Sequence, residues 1–154
     1  MKLLEQYYLQ PGFIYATIEG TLVKTVLGSC VAVCLWDQRH GSGGVNHYIY
    51  PRRLNHQPTS NYGDVAIPYL IRLMTKLGSN HSDLVAHVVG GATSPLINSS
   101  IGQENSMVAK EILLKYGIRV ATWDIGGSIG RKVIFNTGNG NLLVNNCMQI
   151  RESG

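Results

Sequence analysis

Apolar positions along this 154-residue chain recur with two periods, one typical of helices and one typical of strands. Helical spacing runs from Ala66 to Leu77 and again from Asn105 to Tyr116. Shorter apolar runs predict strands over residues 13–18, 21–26, 31–36, 45–50, 84–89, 118–123, 132–136 and 142–146. This order of elements predicts an α/β fold in which the two helices pack on a sheet.

Turn residues between these runs predict how neighbouring strands pair. Glu19-Gly20 separates the first two strands and suggests a hairpin. The turn-rich stretch 37–44 joins strands 31–36 and 45–50, which we expect to run antiparallel. The sequence contains no linker, repeat or low-complexity segment, so we predict one domain over residues 1–154.

Composition narrows the class of protein. The chain is 44% hydrophobic and 14% charged, which is typical of a folded protein with a core. Its apolar runs are far shorter than a membrane span, and its N-terminus lacks the continuous apolar segment of a signal peptide. We therefore expect a soluble, cytoplasmic protein that is not embedded in a membrane.

The net charge is +4, from 13 Lys and Arg and 9 Asp and Glu, and the basic residues are dispersed. This pattern does not predict nucleic-acid binding. It leaves two interpretations open, an ordinary solvated surface or attraction of an acidic protein partner.

The three cysteines form neither a metal-ligand motif nor an obvious disulfide. Cys30 and Cys34 on one strand would lie about 13 Å apart, too far for a bridge. Pairing of either with Cys147 stays open, although a reduced compartment is the simpler interpretation. The five histidines are scattered, so we predict no metal and no cofactor.

Cys30 occupies an unusual position, between the turn Leu27-Gly28-Ser29 and the buried strand that follows. A cysteine nucleophile needs a base and donors for an oxyanion, and N–H groups around Gly28 and Ser29 converge near the sulfur in such a turn. Antiparallel pairing of strands 31–36 and 45–50 would bring His47 close to Cys30. A structural cysteine and a hydrogen-bonded core histidine are the competing interpretation.

Several ordered motifs resemble those of the CheD-type chemoreceptor glutamine deamidases. The similarity extends from about residue 13 to residue 146. It is carried by LGSCVAVCLxD at 27–37, GGVNH at 43–47 with Pro51, GGA at 90–92, IGxxN at 101–105 and DxGGxxGR at 124–131.

The resemblance implies an α+β sandwich of mixed, largely antiparallel sheets with two main helices, and a Cys-His-Thr active site. Cys30 would be the nucleophile and His47 the general base and acid. Thr25 is our choice for the threonine that orients the histidine. Its register stays open, because a slip of one residue reverses the face of a strand side chain.

The resemblance further implies a function and two partners. The protein would deamidate glutamine side chains of methyl-accepting chemotaxis receptors, and the CheC phosphatase would bind it. The alternative is a non-enzymatic module that binds receptor or CheC on the same fold. A thiol protease or a transglutaminase-like enzyme is a third possibility, which peptide cleavage or amine incorporation would reveal.

Overall fold

The computed structural model describes residues 3–147. The strands are β1 (Glu5–Tyr8), β2 (Ile14–Thr17), β3 (Thr21–Leu27), β4 (Val31–Asp37), β5 (Gly43–Asn46), β6 (Leu84–Gly90), β7 (Arg119–Ile125), β8 (Arg131–Asn136) and β9 (Leu142–Asn146). The helices are α1 (Gly63–Lys76) and α2 (Ile101–Lys115), and a 3₁₀ turn at His81–Asp83 precedes β6.

The strands form two mixed sheets. The four-stranded sheet has the order β1-β3-β8-β9, and the five-stranded sheet has the order β2-β5-β4-β6-β7. Only β1 with β3 and β6 with β7 run parallel, and the other neighbours are antiparallel. The predicted sandwich of mixed, largely antiparallel sheets with two helices is therefore confirmed.

Strand β4 shows why one of the apolar runs is continuous. Val31, Val33 and Leu35 face a core that they share with α1 and α2. The alternate residues Ala32 and Cys34 face the second core, between the two sheets. Because both faces of β4 are buried, polar residues have no place along it.

Both helices pack on the outer face of the five-stranded sheet, as predicted. The buried residues of α1 (Ala66, Ile67, Leu70, Ile71, Met74) and of α2 (Val108, Ala109, Ile112, Leu113) meet in that core. Pro68 lies inside α1, beyond the first turn, so its missing N–H removes one backbone hydrogen bond of the helix. Helix α2 thus lies beside the start of β4, where Cys30 is found.

The predicted hairpin of strands 13–18 and 21–26 is wrong. Strand β2 pairs with β5 in one sheet, whereas β3 pairs with β1 and β8 in the other. Glu19-Gly20 is therefore a crossover between sheets. A short loop between two strands predicts that they lie close together. Whether they pair depends on which other strands form hydrogen bonds with the edge of each.

Two strand boundaries also differ from the pattern. The strand predicted at 45–50 is β5, which ends at Asn46, and beyond it only an isolated bridge joins Tyr48 to Val31. Strand β1 was not predicted, since all four of its residues are exposed and show no alternation of apolar and polar positions.

No helix between residues 3 and 147 combines the length and the apolar character needed to cross a lipid bilayer.

Candidate active site

The turn between β3 and β4 holds Cys30 through its backbone carbonyls. The Gly28 carbonyl accepts a hydrogen bond from the Ala92 N–H at 3.1 Å, and the Cys30 carbonyl accepts one from the Gly91 N–H at 2.9 Å. Between them, the Ser29 carbonyl accepts from Asn105 Nδ2 at 2.9 Å. Three successive carbonyls are therefore fixed by the loop after β6 and by α2.

The N–H groups of the same turn remain available. In a trans peptide the N–H points away from the carbonyl, so the Ser29 and Cys30 N–H groups face away from α2 and the 90–92 loop. Within residues 3–147 neither donates to another residue, although the Cys30 N–H lies against its own sulfur. Two free N–H groups beside a thiol can stabilise an oxyanion.

The register of β4 and β5 places His47 on the same face as Cys30. Cys34 lies opposite Val45, and the same register continues to the bridge between Val31 and Tyr48. Cys30 and His47 are thus diagonal neighbours, which in antiparallel pairs lie about 7–8 Å apart between α-carbons. Their side chains therefore point to the same face of the sheet, although no hydrogen bond joins Cys30 Sγ to His47 Nε2 within residues 3–147.

Thr25 fixes the orientation and the tautomer of His47. Its hydroxyl lies 2.7 Å from His47 Nδ1 and donates to the Leu9 carbonyl at 2.8 Å. Because the single hydroxyl proton goes to a carbonyl that only accepts, Thr25 must accept a hydrogen bond from Nδ1–H. The unprotonated nitrogen of the neutral ring is then Nε2, which has no partner within residues 3–147.

The register left open for Thr25 is resolved by β3. Its residues alternate, and the side chain of Thr25 lies on the buried face, whereas Val26 is exposed. Thr25 therefore points into the space between the sheets, where His47 is also buried.

The segment after β1 also holds His47, which the apolar and polar pattern of the chain did not predict. Besides the Leu9 carbonyl, the Gly12 N–H donates to the His47 carbonyl at 2.7 Å, and the His47 N–H donates to the Phe13 carbonyl at 3.3 Å. These contacts use backbone atoms alone. The one side chain of this segment that could have indicated the contact is that of Leu9, which is apolar and fully buried.

Burial keeps both reactive groups neutral. It raises the pKa of the Cys30 thiol to about 11, against a smaller lowering by the hydrogen bond from its own N–H. It lowers the pKa of His47 to about 4. At neutral pH the resting pair is a thiol and an uncharged imidazole, not a thiolate–imidazolium ion pair.

A buried arginine supports the loop that holds Cys30. Arg131 donates to Asp124 Oδ1 at 3.0 Å and to the carbonyls of Gly90 and Gly126 at 3.3 and 2.8 Å. Gly90 has a φ of 119°, and a Cβ there would lie 2.2 Å from the Cys30 carbonyl oxygen. Asp124 therefore helps to orient a neighbouring loop, and it acts through Arg131.

The remaining cysteines do not join the site. Cys34 is fully buried between the sheets, and burial raises its pKa far above the ordinary range. Cys30, Cys34 and Cys147 are all free, so neither of the disulfides left open with Cys147 is formed. In the described part of the chain, no cluster of His, Cys, Asp and Glu is arranged to hold a metal ion.

A surface groove of about 800 Å³ lies along α2, next to the segment that follows His47. Tyr50, Leu54 and Met107 contribute its apolar lining, and all three are exposed. Arg52 and Glu111, which form an ion pair, lie at the groove as well. Neither Cys30 nor His47 lines it, so the groove adjoins the candidate active site without containing it.

Fold and site together define a class: a two-sheet sandwich in which a buried cysteine lies on the same face as a buried, hydrogen-bonded histidine–threonine pair. Residues 51–146 match the family model described as CheD chemotactic sensory transduction. The chain belongs to the CheD family, which confirms the resemblance found in the sequence.

Bacterial and archaeal relatives extend this match. A "Probable chemoreceptor glutamine deamidase CheD" of Trichlorobacter lovleyi is 41% identical over 145 residues, covering 92% of this chain and 90% of that protein. One of Anaeromyxobacter dehalogenans is 39% identical, covering 88% and 81%. An archaeal relative, from Methanococcus maripaludis, is 38% identical, covering 79% and 82%.

Proposed function

We propose that this protein deamidates glutamine side chains of chemotaxis receptors, with Cys30 as the nucleophile and His47 as the base. The observation that carries the proposal is the hydrogen-bond chain from Leu9 through Thr25 to His47. It leaves Nε2 unprotonated and unpartnered on the face that also carries Cys30. The activity agrees with the names of the relatives, all of which are called chemoreceptor glutamine deamidases.

The first half of the reaction forms a thioester. His47 Nε2 takes the proton of Cys30 as the sulfur attacks the amide carbon of the glutamine side chain. The imidazolium then gives this proton to the amide nitrogen, the carbon–nitrogen bond breaks, and ammonia leaves. In the second half, His47 takes a proton from water, whose oxygen attacks the thioester. The carbon–sulfur bond breaks, Cys30 recovers its proton, and the receptor carries glutamate.

The turn supplies the electrostatic part of this mechanism. Both tetrahedral intermediates carry a negative oxygen, which the N–H groups of Ser29 and Cys30 would receive, since neither donates to another residue within residues 3–147. Gly28 contributes differently, because its carbonyl is the anchor that directs the Ser29 N–H. The proposed oxyanion site is therefore built from backbone atoms.

Neutrality of the resting pair implies that substrate triggers the chemistry. The pKa of Cys30, about 11, exceeds that of His47, about 4, so transfer of the proton in the absence of substrate is unfavourable. Attack and proton transfer must therefore be coupled. A bound glutamine whose carbonyl oxygen reaches the N–H groups supplies the coupling.

We place the protein in the cytoplasm, where it would meet the signalling regions of methyl-accepting receptors, and we include the CheC phosphatase as a second partner. A protein substrate fits the exposed apolar residues Leu54 and Met107 of the groove beside the site, since such residues commonly mark protein contacts. The proposal requires no cofactor and no nucleic acid.

The direct test is incubation of the purified protein with receptor cytoplasmic fragments. Peptide mass spectrometry reads the mass increase of about 1 Da that accompanies conversion of glutamine to glutamate. Conversion at defined glutamines supports the proposal. Tight receptor binding without conversion would replace it with the binding-module alternative, and cleaved or amine-linked peptides would replace it with the third one.

Replacing Thr25 by Val should lower kcat by about 10- to 100-fold, less than loss of the base itself. Valine has a similar shape but leaves Nδ1 without its acceptor, so the ring is free to adopt the wrong tautomer. Initial deamidation rates, normalised to folded protein, measure the effect. Thr25→Ser retains the hydroxyl and should recover most of the activity; equal losses in both variants would contradict this role.

The pH dependence of kcat/KM should be flat between about pH 5 and pH 9. Burial lowers the pKa of His47 to about 4 and raises that of Cys30 to about 11, so the reactive neutral pair persists across this range. Activity should fall only as the pH drops through about 4, where His47 gains a proton. Initial rates across a pH series test this, and an inflection near 6.5 would show that His47 titrates as an exposed histidine.

A further inference from the structure

Asn105 is hydrogen-bonded to both halves of the candidate active site. Its Nδ2 donates to the Ser29 carbonyl at 2.9 Å and to the Ile49 carbonyl at 2.9 Å. Ser29 directly precedes the proposed nucleophile, and Ile49 lies two residues after His47. Both partners are carbonyl oxygens, which only accept, so the atom between them is the amide nitrogen with its two protons.

The bond to Ser29 controls a neighbouring donor. The Ser29 carbonyl and the Cys30 N–H belong to one planar trans peptide unit and point in opposite directions. By holding the carbonyl toward α2, Asn105 turns the Cys30 N–H away from α2, toward the proposed oxyanion. A hydrogen bond to the carbonyl also polarises the peptide unit, which strengthens its N–H as a donor.

The bond to Ile49 fixes the histidine segment where regular sheet pairing has ended. Strand β5 ends at Asn46, and only the bridge between Tyr48 and Val31 continues the ladder. The second proton of Asn105 holds the backbone just beyond this bridge. One side-chain amide therefore sets the spacing between the Cys30 turn and the segment of His47.

Half of the hydrogen-bonding capacity of this amide is unused. Asn105 is fully buried, yet its Oδ1 has no partner among residues 3–147. An unpartnered buried acceptor lowers stability. In return for this loss of stability, the amide provides two hydrogen-bond donors to two backbone carbonyls. This pair of directed donors distinguishes Asn105 from a buried polar residue that only stabilises the core.

We propose that Asn105 is a positioning residue for the deamidation reaction: it aims the Cys30 N–H at the oxyanion and holds the nucleophile turn at a fixed spacing from His47. The inference rests on the proposed function, because it assigns the residue a part in that chemistry. It differs from a general structural role in one measurable respect, since only reactions that develop an oxyanion depend on it.

Two reagents that modify Cys30 separate these roles. Iodoacetamide alkylates the thiol by displacement of iodide and forms no oxyanion. p-Nitrophenyl acetate acylates the thiol through a tetrahedral oxyanion, releasing p-nitrophenolate and leaving an acetyl thioester. Peptide mass spectrometry quantifies each product at Cys30 specifically.

In Asn105→Ala, acylation of Cys30 should fall by about 10- to 100-fold, while alkylation should stay within about threefold of wild type. Ser106→Ala is the matched control, because Ser106 is the next buried residue of α2 and, among residues 3–147, its hydroxyl bonds only to the Gly102 carbonyl. It should leave the ratio of the two rates unchanged.

Asn105→Asp supplies a second test at almost constant shape. A carboxylate only accepts hydrogen bonds, whereas a protonated carboxyl group donates one. The acylation-to-alkylation ratio of this variant should be low at neutral pH and rise as the pH falls. Over the same range the ratio for wild type should stay constant.

Equal changes in the two rates, or variants that fail to fold by circular dichroism, would overturn the proposal, since Asn105 would then serve the fold alone. Receptor conversion is measured in parallel. If wild type converts receptor glutamine and Asn105→Ala does so at the same rate, the positioning role fails by itself. If no protein converts receptor glutamine but the ratio falls as expected, the proposed function fails and the positioning role stands.

Discussion

Conversion of receptor glutamine should disappear in Cys30→Ala, a loss of about 10⁶-fold. The thiol is the only group in the proposed mechanism that bonds to the substrate carbon, and no neighbouring side chain can replace it. Mass spectrometry of receptor fragments measures residual conversion. Receptor binding should persist, because the change removes one sulfur from a side chain that is only 6% exposed.

Cys34→Ala is the matched control for this prediction. Cys34 lies on the same face of β4 in the same core, but it is fully buried and takes no part in the proposed reaction. The control variant should lose about 1 kcal/mol of unfolding free energy and convert receptor normally. Conversion that survived in Cys30→Ala, or that was lost in Cys34→Ala, would mean that the nucleophile is misassigned.

Replacing His47 by Asn should lower kcat by about 10²- to 10⁴-fold, the range that positioned proton transfer supplies. Asparagine can still donate toward Thr25, so the local packing changes little while the base is lost. Loss of the base should be visible in single-turnover experiments as slow thioester formation. It should leave the dissociation constant for receptor unchanged within about twofold.

His87→Gln is the comparison for His47. His87 is half-buried and bonded to Thr122 and Gly140, and burial lowers its pKa as well. His87 lies on β6, away from Cys30. We therefore expect the kcat of His87→Gln to stay within about twofold of wild type. Equal losses in the two variants would mean that His47 supports the fold and does not move protons.

The sequence predicted those parts of the fold that depend on local periodicity. Helices α1 and α2 and the run of β4 were predicted because their buried residues follow helical spacing or are continuously apolar. The pairing of β2 could not be predicted, since its four residues are all half-buried and fit either sheet. Strand β1 was missed for a related reason, because its exposed residues are held by backbone bonds to β3.

The candidate site divides in the same way. Cys30 and His47 could be inferred because each lies at the end of a strand of one antiparallel pair, Cys30 directly before β4 and His47 directly after β5. The register of Thr25 required the sheet, and the role of the Leu9 carbonyl required the fold of the first strand. The two bonds of Asn105 could not be inferred, because its partners are backbone carbonyls that no side-chain pattern reveals.

Because the Cys30 thiol is buried and neutral, we expect it to resist oxidation by peroxide. Peroxide attacks the thiolate, and a pKa of about 11 leaves only about one Cys30 in ten thousand ionised at pH 7. A nucleophile that is ionised only during attack on its substrate escapes conversion to sulfenic and sulfinic acids while it waits. The same burial that makes the resting thiol a poor nucleophile would thus preserve the proposed nucleophile between encounters with a receptor.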